Sequence, residues 1–110
     1  MSKRRRNPET EIQTQITGYL QAHGFYCIRN HQTLGSHKGL SDMTVIKESK
    51  TVYIEVKTAK GKQSEDQEKF QRAIEEHGGH YVILRSLHEA VDFVALFNAQ
   101  LLEQERDTVL

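Results

Sequence analysis

Between Thr51 and Thr58, the apolar side chains Val52, Ile54 and Val56 alternate with Tyr53, Glu55 and Lys57. A period of two in a run rich in β-branched and aromatic residues predicts a strand. Its aliphatic residues are buried on one face, and Glu55 and Lys57 stand side by side on the other. Asp42-Met43-Thr44-Val45-Ile46 reads as a neighbouring strand, and the polar stretch Lys47-Glu48-Ser49-Lys50 is short enough to be the hairpin turn between them. Asp42 then enters its strand near the place where Glu55 leaves the paired one.

The period changes on either side of this hairpin. Asn7-Pro8 offers an N-cap followed by a proline at the first helical position. Ile12, Ile16, Tyr19 and Leu20 then form a stripe of helical spacing, and Gly24 ends it. Glu9 lies on the side of that stripe, three residues before Ile12 and seven before Ile16; an acid in a first turn also favours the helix dipole. Phe25-Tyr26-Cys27-Ile28 reads as the first strand, leading into a polar loop from about Asn30 to Gly39. Beyond the hairpin, Ser64-x-x-Gln67 fits a capping box for a helix running through Phe70, Ala73 and Ile74 to a Gly78-Gly79 stop. His80-Tyr81-Val82-Ile83-Leu84 reads as a buried strand, and Ser86 can cap a last helix beginning near Leu87. The order is one helix, three strands, a helix, a strand and a helix. From Ala90 to Leu102 the last helix carries more apolar residues than one core-facing stripe needs, a reason to expect a second subunit against it.

Length supports one domain with a small core: a flexible basic tail over 1–8, a single domain over 9–104 and a C-terminal tail over 105–110. The 15 basic and 15 acidic residues balance, so net charge argues neither for nor against nucleic acid. Their distribution is uneven. Lys3, Arg4, Arg5 and Arg6 form a terminal block able to lie along DNA in a salt-dependent way, with a solubilising tail or, in a eukaryotic host, a nuclear signal as the alternatives. Lys57, Lys60 and Lys62 flank Gly61 in a basic turn for which backbone phosphate is the simplest partner. Arg29, His31 and Lys38 border the loop ahead of Asp42 and are phosphate-contact candidates, with plain solvated loop residues as the alternative. No signal-peptide-like stretch and no run of about 18 apolar residues is present, which predicts no membrane association. A lone Cys27 cannot form an internal disulfide and fits a reducing, cytoplasmic interior. The six histidines are scattered without zinc-ligand spacing.

The candidate chemistry rests on the two strands. Asp42 and Glu55, converging at a sheet end, can hold Mg²⁺ or Mn²⁺ through oxygen ligands, with the backbone carbonyl of Val56 as a further donor. Such an ion polarises a phosphate oxygen and lowers the pKa of an attacking water. Lys57, on the same face, can orient or deprotonate that water or neutralise charge building on the phosphorane. An ordinary lysine is protonated near neutral pH, which favours charge stabilisation. The bland alternative is a solvated strand face and an aspartate used as a turn residue.

Gly39-Leu40-Ser41-Asp42, then Tyr53 to Lys62, then Ser64-Glu65-Asp66-Gln67 ahead of a helix, resembles in that order the VRR-NUC branch of the PD-(D/E)xK nuclease superfamily. Glu9-Thr10-Glu11-Ile12-Gln13, Tyr19-Leu20 and Gly24 with Arg29-Asn30 are similar to that family's first helix and following strand, so the resemblance spans about residues 9 to 92. It implies an α/β, restriction-endonuclease-like core: a central mixed β-sheet flanked by helices, cutting DNA phosphodiesters with Mg²⁺ or Mn²⁺. By the same resemblance Asp42 and Glu55 are the metal-binding acids, Lys57 is the catalytic lysine and Gln67 is the glutamine near the metal or scissile phosphate. Glu9 matches the first-helix glutamate, with Glu11 as its rival. Standalone members, often phage-encoded, make a homodimeric Holliday-junction resolvase the leading expectation. The alternatives are the same chemistry on flaps, linear duplex or single strands, and a non-catalytic DNA-binding module retaining the fold.

Overall fold

The computed structural model describes residues 7–31, 33 and 35–109. The basic block Lys3, Arg4, Arg5 and Arg6 lies outside them. Seven elements follow in the expected order: α1 (Pro8–Ala22), β1 (Tyr26–Arg29), β2 (Met43–Lys47), β3 (Lys50–Val56), α2 (Glu65–Glu76), β4 (His80–Leu84) and α3 (Leu87–Val109). The strands form one mixed sheet in the order β1-β2-β3-β4, antiparallel from β1 to β3 and parallel between β3 and β4. The chain is therefore α/β, with helices on both faces of the sheet.

Local chemistry sets most of these boundaries. The Asn7 side chain accepts the Glu9 amide at 2.9 Å and Pro8 opens α1, so two of the four amides that a helix start leaves without partners are dealt with at once. The hairpin between β2 and β3 turns on two residues, Glu48 at φ 51° and Ser49 at φ 65°. Left-handed conformation at both positions matches the twist of the flanking strands, although neither residue is glycine. Ser64 and Gln67 complete the capping box of α2, and the Ser86 hydroxyl accepts the Glu89 amide at the start of α3. β1 begins one residue later than the apolar run indicates, because Phe25 turns into the core. The last helix continues through Val109, past the boundary at 104.

Alternation along β3 divides the molecule into two layers. Val52, Ile54 and Val56 join Ile16 and Leu20 of α1, Met43 and Val45 of β2, Leu84 of β4, and Ala90, Val94 and Phe97 of α3 in one apolar cluster. On the opposite face, Phe70 of α2 packs edge-on against Tyr53 and Tyr81. Because the register pairs Met43 with Ile54 and Arg29 with Met43, one step further along the strands brings Asn30, Asp42 and Glu55 to the same end of the sheet.

Candidate metal centre

Asp42 directly precedes β2, and its carbonyl accepts the Asn30 amide at 2.9 Å. The Asn30 side chain donates to the Ser41 carbonyl at 3.1 Å and to Thr44 Oγ1 at 3.0 Å, pinning the backbone on both sides of Asp42. The Asp42 side chain reaches across to β3, where Oδ2 accepts the Val56 amide at 2.7 Å. Glu9, in the first turn of α1, completes the group: Glu9, Asp42 and Glu55 each offer a carboxylate oxygen, and these oxygens all lie within 4.8 Å of one another. Glu11 is exposed and stays outside the cluster.

Glu55 does not lie on a solvated strand face, the bland alternative for this position, for it is only 1% exposed. The cover comes from the loop before Asp42 and the start of α2. Gly39, at φ +74°, packs so tightly on α2 that a Cβ there would lie 2.1 Å from the Asp66 carbonyl oxygen. Only glycine permits that approach in that conformation. Gln67, on the first turn of α2, then reaches Glu55: its Nε2 donates to Oε1 at 3.3 Å while its own Oε1 accepts the Ser64 amide at 2.8 Å. The capping role and the site role of Gln67 therefore coexist, one through each end of its amide.

The electrostatics of this arrangement are adverse without a cation. Burial, then the neighbouring Asp42 carboxylate through hydrogen bonding and charge, push the Glu55 carboxyl up to about 9; Lys57 opposes the rise and Glu9 adds to it. Among the described residues no hydrogen-bond donor reaches Glu55 Oε2, although it is buried. A buried carboxylate oxygen without a donor is costly, and a divalent cation is the partner that three converging carboxylates accept. The donors in the cluster are all carboxylate oxygens, with no imidazole or thiolate among them, which suits hard Mg²⁺ or Mn²⁺. The residues present fit such an ion.

The remaining candidates take distinct places. Lys57 lies one residue past β3, its amide donating to the Leu84 carbonyl at 3.1 Å, and its charge acts on Glu55. Val56, considered for its carbonyl, contributes its amide to Asp42. Arg29 is exposed and donates to Gln13 Oε1 at 2.6 Å. His31, Lys38, Lys60 and Lys62 are exposed. One contributor carried no local signal in the sequence: Arg85 donates through Nη1 to the carbonyls of Thr58 and Gly61 at 2.7 and 2.6 Å, fixing the turn that follows Lys57 and carries Lys60. Its partners lie 27 and 24 residues away, beyond the reach of any spacing rule.

Comparison with sequence-family models and with curated proteins finds no match for this chain. Among solved structures, the chain is similar to one described as a VRR_NUC domain, with a TM-score of 0.70 and 18% identity, covering 79% of this chain and 94% of that one. The fold is thus the restriction-endonuclease-like fold of a VRR_NUC domain. On that fold, the acidic cluster stands where β2 begins and β3 ends.

Proposed function

We propose that this protein is a divalent-metal-dependent endodeoxyribonuclease. The observation that carries the reading is the convergence of Glu9, Asp42 and Glu55 within 4.8 Å, with a buried Glu55 oxygen lacking any donor, on a VRR_NUC fold. Glu9, Asp42 and Glu55 would hold Mg²⁺ or Mn²⁺, which when bound polarises a phosphodiester oxygen and acidifies a water. The chain's own groups do the rest. Asp42 is oriented by the Val56 amide, and Glu55 is held from the α2 side by Gln67. Lys57 supplies positive charge where the phosphorane develops. Lys60, on the turn fixed by Arg85, and Lys62 just after it, with Arg29, His31, Lys38 and the basic block Lys3, Arg4, Arg5 and Arg6, draw the phosphate backbone to the site.

The finer reading is a homodimeric resolvase of four-way DNA junctions. Its support is the surface of α3, where Leu96 and Leu102 are 61% and 60% exposed, and Val91 is exposed on the same helix. An α3-mediated dimer would present two acidic clusters to two strands of one junction. A cytoplasmic site of action agrees with the lone half-buried Cys27, and among the described residues no helix is long and apolar enough to cross a membrane. The test is cleavage of matched labelled substrates (four-way junction, flap, linear duplex, single strand) with Mg²⁺ or Mn²⁺, using Glu55→Gln as the blank. Paired symmetric nicks confined to the junction are expected. Cutting of another form would replace the substrate, and no cutting with either metal would overturn the nuclease assignment.

A further inference from the structure

A groove of about 430 Å³ lies between α1 and the edge strand β1. Its floor is made by Cys27 and Met43, its α1 wall by Gln13, Thr17 and Gly18, and Arg29 stands at its side. Three observations mark it as a binding site. The first is Gly18, which sits in the middle of α1, where glycine is destabilising relative to alanine. Its backbone is ordinary, and a Cβ there would meet nothing within 4 Å, so neither a turn nor close packing explains the missing side chain. What its absence does is keep the groove open. The second is Gln13, a buried amide. Its Oε1 accepts from Arg29 Nη2, so two polar side chains that line the groove are held together at its wall. The third is position: Gln13 lies one helical turn, about 6 Å along the axis, from Glu9, and Arg29 pairs with Met43, the residue after Asp42. The groove therefore begins beside the acidic cluster.

The lining has the chemistry of a nucleotide site. The Cys27 and Met43 side chains give an apolar, polarisable floor suited to an aromatic ring, an amide offers a donor for the ring edge, and a guanidinium with four N–H groups beyond the one given to Gln13 is available to phosphate. The volume falls within the range of small-ligand sites. A paired base cannot enter, because its edge and both stacking faces are already engaged in the duplex. Resting on the nuclease reading above, we propose that this groove is a subsite for one unpaired nucleotide of the DNA substrate, adjacent to the scissile phosphodiester, with Arg29 on its phosphate and Gln13 on its base. An unpaired nucleotide at the cut is what separates branched or frayed DNA from continuous duplex. The subsite gives the chain a means of selecting structure without reading sequence.

The test compares binding of two labelled duplexes with single-stranded ends, one intact and one with abasic sites throughout the unpaired segment, in Ca²⁺ so that cleavage does not intrude. The full-length wild-type protein should bind the intact probe about tenfold more tightly, which corresponds to about 1.4 kcal/mol. Gly18→Met, whose Cβ meets nothing within 4 Å and whose longer side chain would occupy the groove, should abolish that preference, and Arg29→Gln should weaken both probes alike. Equal affinity of wild type for the two probes, or a preference retained in Gly18→Met, would overturn the subsite. Because the readout is a ratio of affinities, it decides the subsite even if the wild-type chain cuts nothing in Mg²⁺. Absence of cleavage would count separately, against the nuclease reading.

Discussion

The two faces of β3 are built from neighbouring residues and obey opposite rules. Val52, Ile54 and Val56 point into the apolar cluster shared with α1, β2, β4 and α3, where burial stabilises the fold. Glu55, between two of them, is as deeply buried as they are. It faces Asp42, Glu9 and Gln67 and keeps one oxygen without a donor. Burial stabilises on the first face and destabilises on the second. A chain selected only for stability would not keep a carboxylate there, and this separation within a single strand is the physical argument for a cation at the second face.

Substitutions on the two faces should therefore have opposite signatures. Glu55→Gln keeps the volume and removes the charge. It should reduce Mg²⁺-dependent cleavage by on the order of 10³-fold, the scale of losing one electrostatic contributor to the transition state, while the metal-free protein melts at a higher temperature near pH 8. Ile54→Ala, one residue away, should cost about 2–5 kcal/mol of stability in urea denaturation, and lose activity only in proportion to unfolding. If Glu55→Gln lowered the melting temperature as Ile54→Ala does, the two faces would not differ in kind.

The pH dependence follows from the same contrast. The folded protein keeps a proton on Glu55 up to about 9, whereas the unfolded chain releases it near 4.5. Between those values the native state binds more protons than the unfolded state, so the contribution of Glu55 to stability falls as pH rises. In EDTA, wild type should lose stability relative to Glu55→Gln as pH increases through this window, and saturating Mg²⁺ should flatten the difference. A gap between the two proteins that does not change with pH would contradict the buried carboxylate.

Smaller effects should come from the residues that shape the second face. Gly39→Ala must displace the Asp66 backbone and adopt a left-handed conformation, at a cost of about 1–3 kcal/mol. Because Gln67 follows Asp66, its Mn²⁺ affinity should fall as well, measurable by titration. Farthest from the site, Ser49→Gly relaxes the left-handed turn residue at φ 65° and should raise stability by up to about 1 kcal/mol with cleavage unchanged.

The sequence was most legible where structure is local. The Asn7-Pro8 helix start, the Ser64–Gln67 capping box, the alternation in β3 and the element order all rest on interactions within a few residues, and all appear in the structure as expected. The meeting of Asp42 with Glu55 was also readable, because a two-residue hairpin fixes the register. What could not be read was what covers each face. Alternation says that Glu55 and Lys57 point away from the aliphatic core, but not that Gly39 brings α2 down over one of them. The same holds for Arg85, whose partners lie on a distant turn, and for the groove beside Gly18, which exists only once α1 and β1 are packed. The left-handed turn at Glu48 and Ser49 lacked the glycine or asparagine that usually signals it.

The most direct test of the central claim is isothermal titration of Mn²⁺ into the metal-free protein at pH 7, repeated in buffers of different ionisation enthalpy to count protons released. One ion binding with release of about one proton in wild type, and weak binding without proton release in Glu55→Gln, is the result that a protonated, buried Glu55 at a three-carboxylate centre requires. Binding that is equally tight in both proteins, or that releases no proton from wild type, would show that the buried carboxylate is not the seat of the metal.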